Sequence, residues 1–479
     1  MNARAHGVNP WLVLVLVCFA QFMVILDATI VNVALPSIQA DLGLSESSLQ
    51  WIVNAYALLF GGFLLLGGRA GDLIGRKRVF LAGLVLFTAA SFVCGIATGE
   101  TMLIVSRGIQ GLGAALVSPA ALSIVTTTFR EGPERTKALG VWAAIAVGGG
   151  AVGLVLGGFL VETLSWPWIF FVNIPVGIAA FFFSLRFVPE SKDEHAHKSF
   201  DLAGATTVTA GLISLVYGIV RSAEAGWGSA EVLGLLGAAV ALLGAFVAVE
   251  ARAADPLVPL DLFRTRGLSV STIALGLNGA AFLGMFFITA LYLQQVHGDS
   301  ALDAGVHFLP MGVAAIASAV VGAQLVTRVG TRAVYVAGSA IGVVGLLLLG
   351  RAGAGAGYGA DLLPGLVVFG LGLPLVGVSN QIAAVAEVPH EQAGAASGIV
   401  TSAFQIGGAA GLALVTSAAT SRVTDALAAG AAQPDALAAG FQRGMLVVAG
   451  LAVANLLIGA IRAPRITPDA ALVAEAAAA

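Results

Sequence analysis

Apolar residues along this chain gather into long runs separated by short polar or basic stretches. Runs of about 20 residues let an α-helix cross roughly 30 Å of hydrocarbon. They fall near 11–35, 48–67, 79–97, 102–126, 138–162, 168–187, 202–221 and 229–249. A second set lies near 268–293, 304–326, 333–350, 360–386, 394–419 and 441–461. The pattern predicts an all-α polytopic membrane protein with 14 transmembrane helices. Two connections, Arg186 to Asp201 and Ala251 to Gly267, are polar enough to act as seams. They divide the chain into an N-terminal six-helix bundle (1–190), a linker with two additional transmembrane helices (191–267) and a C-terminal six-helix bundle (268–463). The alanine-rich tail, 464–479, is expected to be disordered and cytoplasmic.

Composition turns the pattern into a statement about solvent. Hydrophobic residues make up 58% of the chain and charged residues 10%, with a mean hydropathy of +0.96. A soluble domain carries about a quarter charged residues, so this chain has too little polar surface to meet water on all sides. The net charge of −3 offers no basic field for nucleic acid. Cys18 and Cys94 sit inside apolar runs without metal-ligand spacing and are expected as packed thiols. His195 and His197 lie in a polar loop with no third ligand nearby, so no metal site is expected. The first run is too long for the core of a cleaved signal peptide, and no small-residue cleavage site follows it. No Gly-x-x-x-x-Gly-Lys-Ser/Thr loop occurs, so ATP does not drive this chain directly. No cluster of catalytic polar groups appears, and no enzymatic activity is expected.

The basic residues give the spans an orientation. Of 23, only Arg221, Arg351, Arg422 and Arg443 fall in loops on one side, and Arg107 falls within a span. The rest share the opposite side, which the positive-inside rule makes cytoplasmic together with both termini.

Two charges lie inside the apolar runs themselves. Asp27 stands about 16 residues, or roughly 24 Å, into the first span, and Arg107 about five residues, or roughly 8 Å, into the fourth. Both therefore reach similar depth from opposite ends. A carboxyl group at that depth costs a few kcal/mol even on gentle insertion scales, so its presence points to function. Arg107, Gln110, Gly111 and Ala114 share one helical face. Burial disfavours a carboxylate's charge and a neighbouring guanidinium favours it, so Asp27 beside Arg107 is expected to load and release a proton as its exposure changes. A fixed structural Asp–Arg pair is the competing reading.

The two halves repeat. Gly68 to Arg78 after the second span corresponds to Ala323 to Arg332 after the tenth, and Gly149, Gly153 and Gly157 correspond to Gly407 and Gly411. Such parallel repeats are a transporter plan with the substrate near the midplane between halves. Leu26 to Pro36, Gly68 to Lys77, Arg107 to Ala115 and Trp166 to Pro175 resemble the signatures of the major facilitator superfamily, in particular its fourteen-helix drug:proton antiporter subgroup. Pro167 stands where that signature more often has arginine. Leu154 stands where the subgroup's fifth helix carries a proline after the central Gly153.

The resemblance implies a conformational latch at Asp72, Arg76 and Lys77, with the carboxylate of Asp72 meeting the start of the thirteenth helix near Gly394 to Ser397. Candidate cavity residues are Gln21, Asn54, Tyr56 and Gln110 from the first half. From the second half they are Asn278, Phe282, Phe286, Tyr292, His307, Met311, Asn380, Phe404 and Gln405. Aromatic walls with a few amides suit a lipophilic or amphipathic molecule. His307 is a candidate second protonation site near the outer surface. The expected function is proton-coupled export of drugs, antibiotics or secondary metabolites by alternating access. The proton gradient is the energy source, no cofactor is needed, and the protein works as a monomer in a bacterial cell membrane. Import, or lipid translocation on the same fold, is the alternative that Leu154 leaves open.

Overall fold

The computed structural model describes residues 9–129, 133–191, 201–253, 256, 258–388 and 393–464. The side chain of Asp72, the loop holding His195 and His197, and the tail after residue 464 lie outside the described residues. The first half consists of α1 (Pro10–Leu42), α2 (Glu46–Ile74), α3 (Arg76–Gly95), α4 (Glu100–Thr128) and α5 (Pro133–Thr163), then the one-turn α6 (Trp168–Phe171) and α7 (Asn173–Phe187). Next come α8 (Leu202–Ala225) and α9 (Ala230–Glu250). The second half holds α10 (Arg266–Gln295), α11 (Ala301–His307), α12 (Leu309–Val329), α13 (Thr331–Leu349), α14 (Leu363–Val385), α15 (Ala393–Ala428) and α16 (Gln433–Arg462).

Among the described residues, 13 helical segments are long and apolar enough to cross a membrane. The helix α5, whose residues Val152–Thr163 form a further apolar stretch, completes the expected set of 14. Two spans are broken. α6 and α7 share the sixth span and part at Val172, because Pro175 has no N–H to bond the Phe171 carbonyl. α11 and α12 share the tenth and part at Phe308, just before Pro310. Several helices outrun their apolar runs: α1 continues to Leu42, α15 to Ala428, and α16 begins at Gln433. Hydrophobic length measures only the hydrocarbon, while backbone bonding carries a helix on into the polar interface.

Both halves pack the same way. α1 lies on α5 as α10 lies on α15, and α4 packs on α2 and α3 as α14 packs on α12 and α13. Small residues make these crossings close. Gly149, Gly153 and Gly157 set α5 against Ile25, Leu26, Thr29 and Ile30 of α1. Gly407 and Gly411 set α15 against Gly276 and Ala280 of α10. α8 packs on α2 and α15, one from each half, through Leu212, Val216, Ala57 and Ala409. α9 leans on α8, with Leu243 beside Gly211 and Leu236 beside Gly218, and leaves Val240 exposed.

The face carrying the Arg76 to Arg78 turn is called the basic face here, and the opposite one the far face. On the far face the halves are joined. Gln294 donates to the Val33 carbonyl at 3.0 Å, Gln295 to Gln39 at 3.1 Å, and Ser300 to the Glu162 carboxylate at 2.9 Å. Beneath them Gly158 of α5 meets Ala301 and Leu302, and the Leu154 carbonyl meets Gly305 of α11. The molecule is closed on its far face.

Candidate functional site

Four helices of the first half deliver polar groups to one buried point. α1 supplies Asp27, α3 Ser91, α4 Arg107 and Gln110, and α7 Asn173, each at most 1% exposed. Glycine sets the spacing. Gly111 brings α4 against the Tyr56 backbone, Gly153 brings α5 against α1 behind Asp27, and Gly177 brings α7 against Thr88, one turn before Ser91. Asn173 is the first residue of α7, directly after Val172.

The carboxylate of Asp27 accepts three hydrogen bonds. Arg107 Nη1 donates to Oδ2 at 2.6 Å, and Gln110 Nε2 and Asn173 Nδ2 donate to Oδ1 at 2.7 and 2.9 Å. Both amides also donate to Ser91 Oγ, at 2.6 and 3.2 Å. Arg107 Nη1 further donates to Gln110 Oε1 at 2.6 Å, and its Nε to the Ile52 carbonyl at 3.2 Å. The guanidinium lies between two rings, 4.4 Å from the Tyr56 centroid and 5.7 Å from that of Phe170. Tyr56 in turn donates to the Val24 carbonyl at 3.3 Å. Every group bonded to the carboxyl oxygens is a donor, which complements a carboxylate and leaves no acceptor for a carboxylic proton. Charge-assisted bonds of this kind hold a buried ion pair that would otherwise be costly.

The second half has no counterpart among the described residues. Gly370 meets the Met311 carbonyl as Gly111 meets that of Tyr56, so Leu366 and Phe369 stand where Arg107 and Gln110 stand. Both are buried in apolar packing. The repeat thus preserves the backbone and confines the ion pair to one half.

The sequence placed Asp27 and Arg107 at similar depth and Gln110 on the helical face of Arg107, and the structure brings the three into contact. It missed Ser91 and Asn173. Asn173 falls inside the Trp166 to Pro175 segment, a usable signal, whereas Ser91 is a lone hydroxyl in an apolar run. In the turn where a latch is expected, Lys77 Nζ donates to the Leu185 carbonyl at 2.8 Å and the Arg76 N–H to the Ser191 carbonyl at 2.8 Å. The Lys77 N–H and the Arg78 side chain both meet Glu190. These contacts tie the turn to the end of the first half and the first residue of the linker, while Gly398 at the start of α15 abuts Leu65 of α2.

The remaining cavity candidates are scattered. Phe282 contacts both Phe286 and Phe404, and Phe286 stacks on Phe308 at 4.4 Å. Gln405 lies across from Gly61 of α2 at the seam between halves. Asn54 is fully buried with neither amide atom bonded among the described residues, and Gln21 Oε1 is likewise unbonded. Asn278 is buried on α10, and Asn380 donates to the Val376 carbonyl in its own helix. Tyr292 packs on Phe441 and donates to the Gly353 carbonyl. His307 bonds Asp299 at 2.6 Å and stacks on Tyr358 at the far face.

Two pseudo-symmetric helical bundles with an ion pair buried in one of them define a multi-pass membrane carrier. The Major Facilitator Superfamily model matches residues 17–412, and the chain belongs to that family. It is 38% identical over 467 residues to the puromycin resistance protein pur8 of Streptomyces alboniger, covering 96% of this chain and 92% of that one. It is 42% identical to the cephamycin export protein CmcT of Amycolatopsis lactamdurans, covering 85% of each. Among solved structures, the POT family transporter PepTSo superposes with a TM-score of 0.67 at 14% identity, covering 95% of this chain and 98% of that one. That likeness concerns the fold alone.

Proposed function

We propose that this transporter exports lipophilic or amphipathic small molecules, such as antibiotics, other drugs or secondary metabolites, in exchange for protons. The observation that carries the reading is the Asp27–Arg107 pair, fully buried at membrane depth in one half and replaced by apolar packing in the other. Relatives named for puromycin resistance and cephamycin export support the cargo class. The basic face is cytoplasmic by its charge, and the protein works in the bacterial cell membrane as a monomer.

In this mechanism the two six-helix bundles rock about the cavity between them, with α8 and α9 as an added pair. Protonation of Asp27 removes the negative partner of Arg107 and loosens α1 from α4, which favours the other conformation. Asp72, Arg76 and Lys77 latch the basic face. Cargo sits against Phe282 and Phe404, with Asn54, Gln21 and Gln405 offering polar contacts. Tyr292, Asn380 and Met311 act in helix packing.

Everted membrane vesicles with an acidified lumen test the reading. Adding puromycin or ethidium should load the probe into the lumen while the lumen turns alkaline. Probe and protons moving in the same direction would overturn it.

A further inference from the structure

The Asp27 cage has one member able to follow the carboxyl group through its change of protonation. A carboxylate needs donors around it, and a carboxylic acid needs at least one acceptor. Arg107 has only donors to offer. Gln110 holds its carbonyl oxygen against Arg107 Nη1 at 2.6 Å and takes a longer contact from Cys94, so turning its amide would set donor against donor. Asn173 is different. Its Nδ2 makes the cage's bonds, to Asp27 Oδ1 and Ser91 Oγ, and no described residue bonds its Oδ1.

Resting on the proton-coupling reading above, we propose that Asn173 is the positioning residue for the proton on Asp27, reversing its carboxamide when that proton binds. With the amide turned, Asn173 Oδ1 accepts from the new O–H on Asp27 Oδ1. Ser91, now an acceptor of both amides, swings its hydroxyl hydrogen to donate to the same Asn173 oxygen. Gln110 keeps both its donations, and Arg107 still donates to Asp27 Oδ2. One O–H bond forms at Asp27 with a proton taken from water, and Asn173 exchanges two donations for two acceptances, its Nδ2 turning to the place its unbonded Oδ1 held. The reverse turn accompanies release. Position supports the assignment: Asn173 is the first residue of α7, immediately after Val172.

The test uses purified full-length protein in liposomes. Infrared difference spectra between acid and alkaline samples should show a carboxyl band that Asp27→Asn abolishes. They should also show a side-chain carboxamide change that Asn173→Leu, of nearly the same shape, abolishes. Asn173→Leu should retain ethidium counterflow at fixed pH while proton release on ethidium binding falls about tenfold, the effect of one buried hydrogen bond to a charged group. Asn173→Gln should restore it in part. Ser91→Ala provides a milder check: the carboxamide band of the acid form should move to higher frequency, because its carbonyl loses one of two donors. A parental pH profile in Asn173→Leu, or an unmoved band in Ser91→Ala, would overturn the inference. If Asp27→Asn itself keeps the carboxyl band and proton release, the coupling reading fails instead.

Discussion

At the scale of residues, a lone charge in an apolar run is the strongest signal such a chain can carry. Asp27 and Arg107 were legible because each is expensive at that depth, and the expense ends only when they meet. Their environment also fixes what removal does. Arg107→Ala strands a carboxylate with two amide donors and should destabilise the protein by about 3–5 kcal/mol, read as a lower melting temperature in detergent. Asp27→Leu combined with Arg107→Leu should recover most of that loss, since Leu366 already packs at the matching place in the other half. A double variant as unstable as Arg107→Ala would mean that the cage, not the charge, holds the helices. Ser91 and Asn173 were not legible in the same way. Neutral polar residues are common inside membrane helices, and the approach of α7 to α3 at Gly177 brings these two together.

Glycine spacing speaks at the scale of helices. The four-residue period of Gly149, Gly153 and Gly157 announced a close-packing face, and α1 is what it meets. A Cβ at Gly157 would stand 2.7 Å from Ile30 Cγ1 and 3.0 Å from its carbonyl. Gly157→Val should therefore cost about 1–3 kcal/mol in thermal stability. Gly237→Val on α9, where a Cβ meets nothing within 4 Å, should change it by less than about 0.5 kcal/mol. Equal effects would refute the packing account. The period identifies a face without naming its partner, so the second contact of α5, with Leu154 and Gly158 against α11, could not be read in advance. Leu154 keeps α5 an unbroken helix where the related signature has proline. Its carbonyl is part of the far-face closure.

Over the whole molecule, the count of spans, the two halves and the inserted pair followed from hydrophobic length and repeat. The closed side did not, because a sequence holds both conformations at once. The closure predicts that Glu162→Cys with Ser300→Cys, which bond across the halves in the parent, should cross-link on oxidation and arrest transport. Reductant should restore it, and unimpeded transport by the cross-linked protein would show that the far face never opens there. The central claim, that Asp27 carries the coupled proton, is tested most directly by Asp27→Asn in liposomes, comparing probe counterflow with accumulation driven by an imposed pH gradient. Counterflow should persist and gradient-driven accumulation should vanish. Accumulation at the parental rate would contradict the claim.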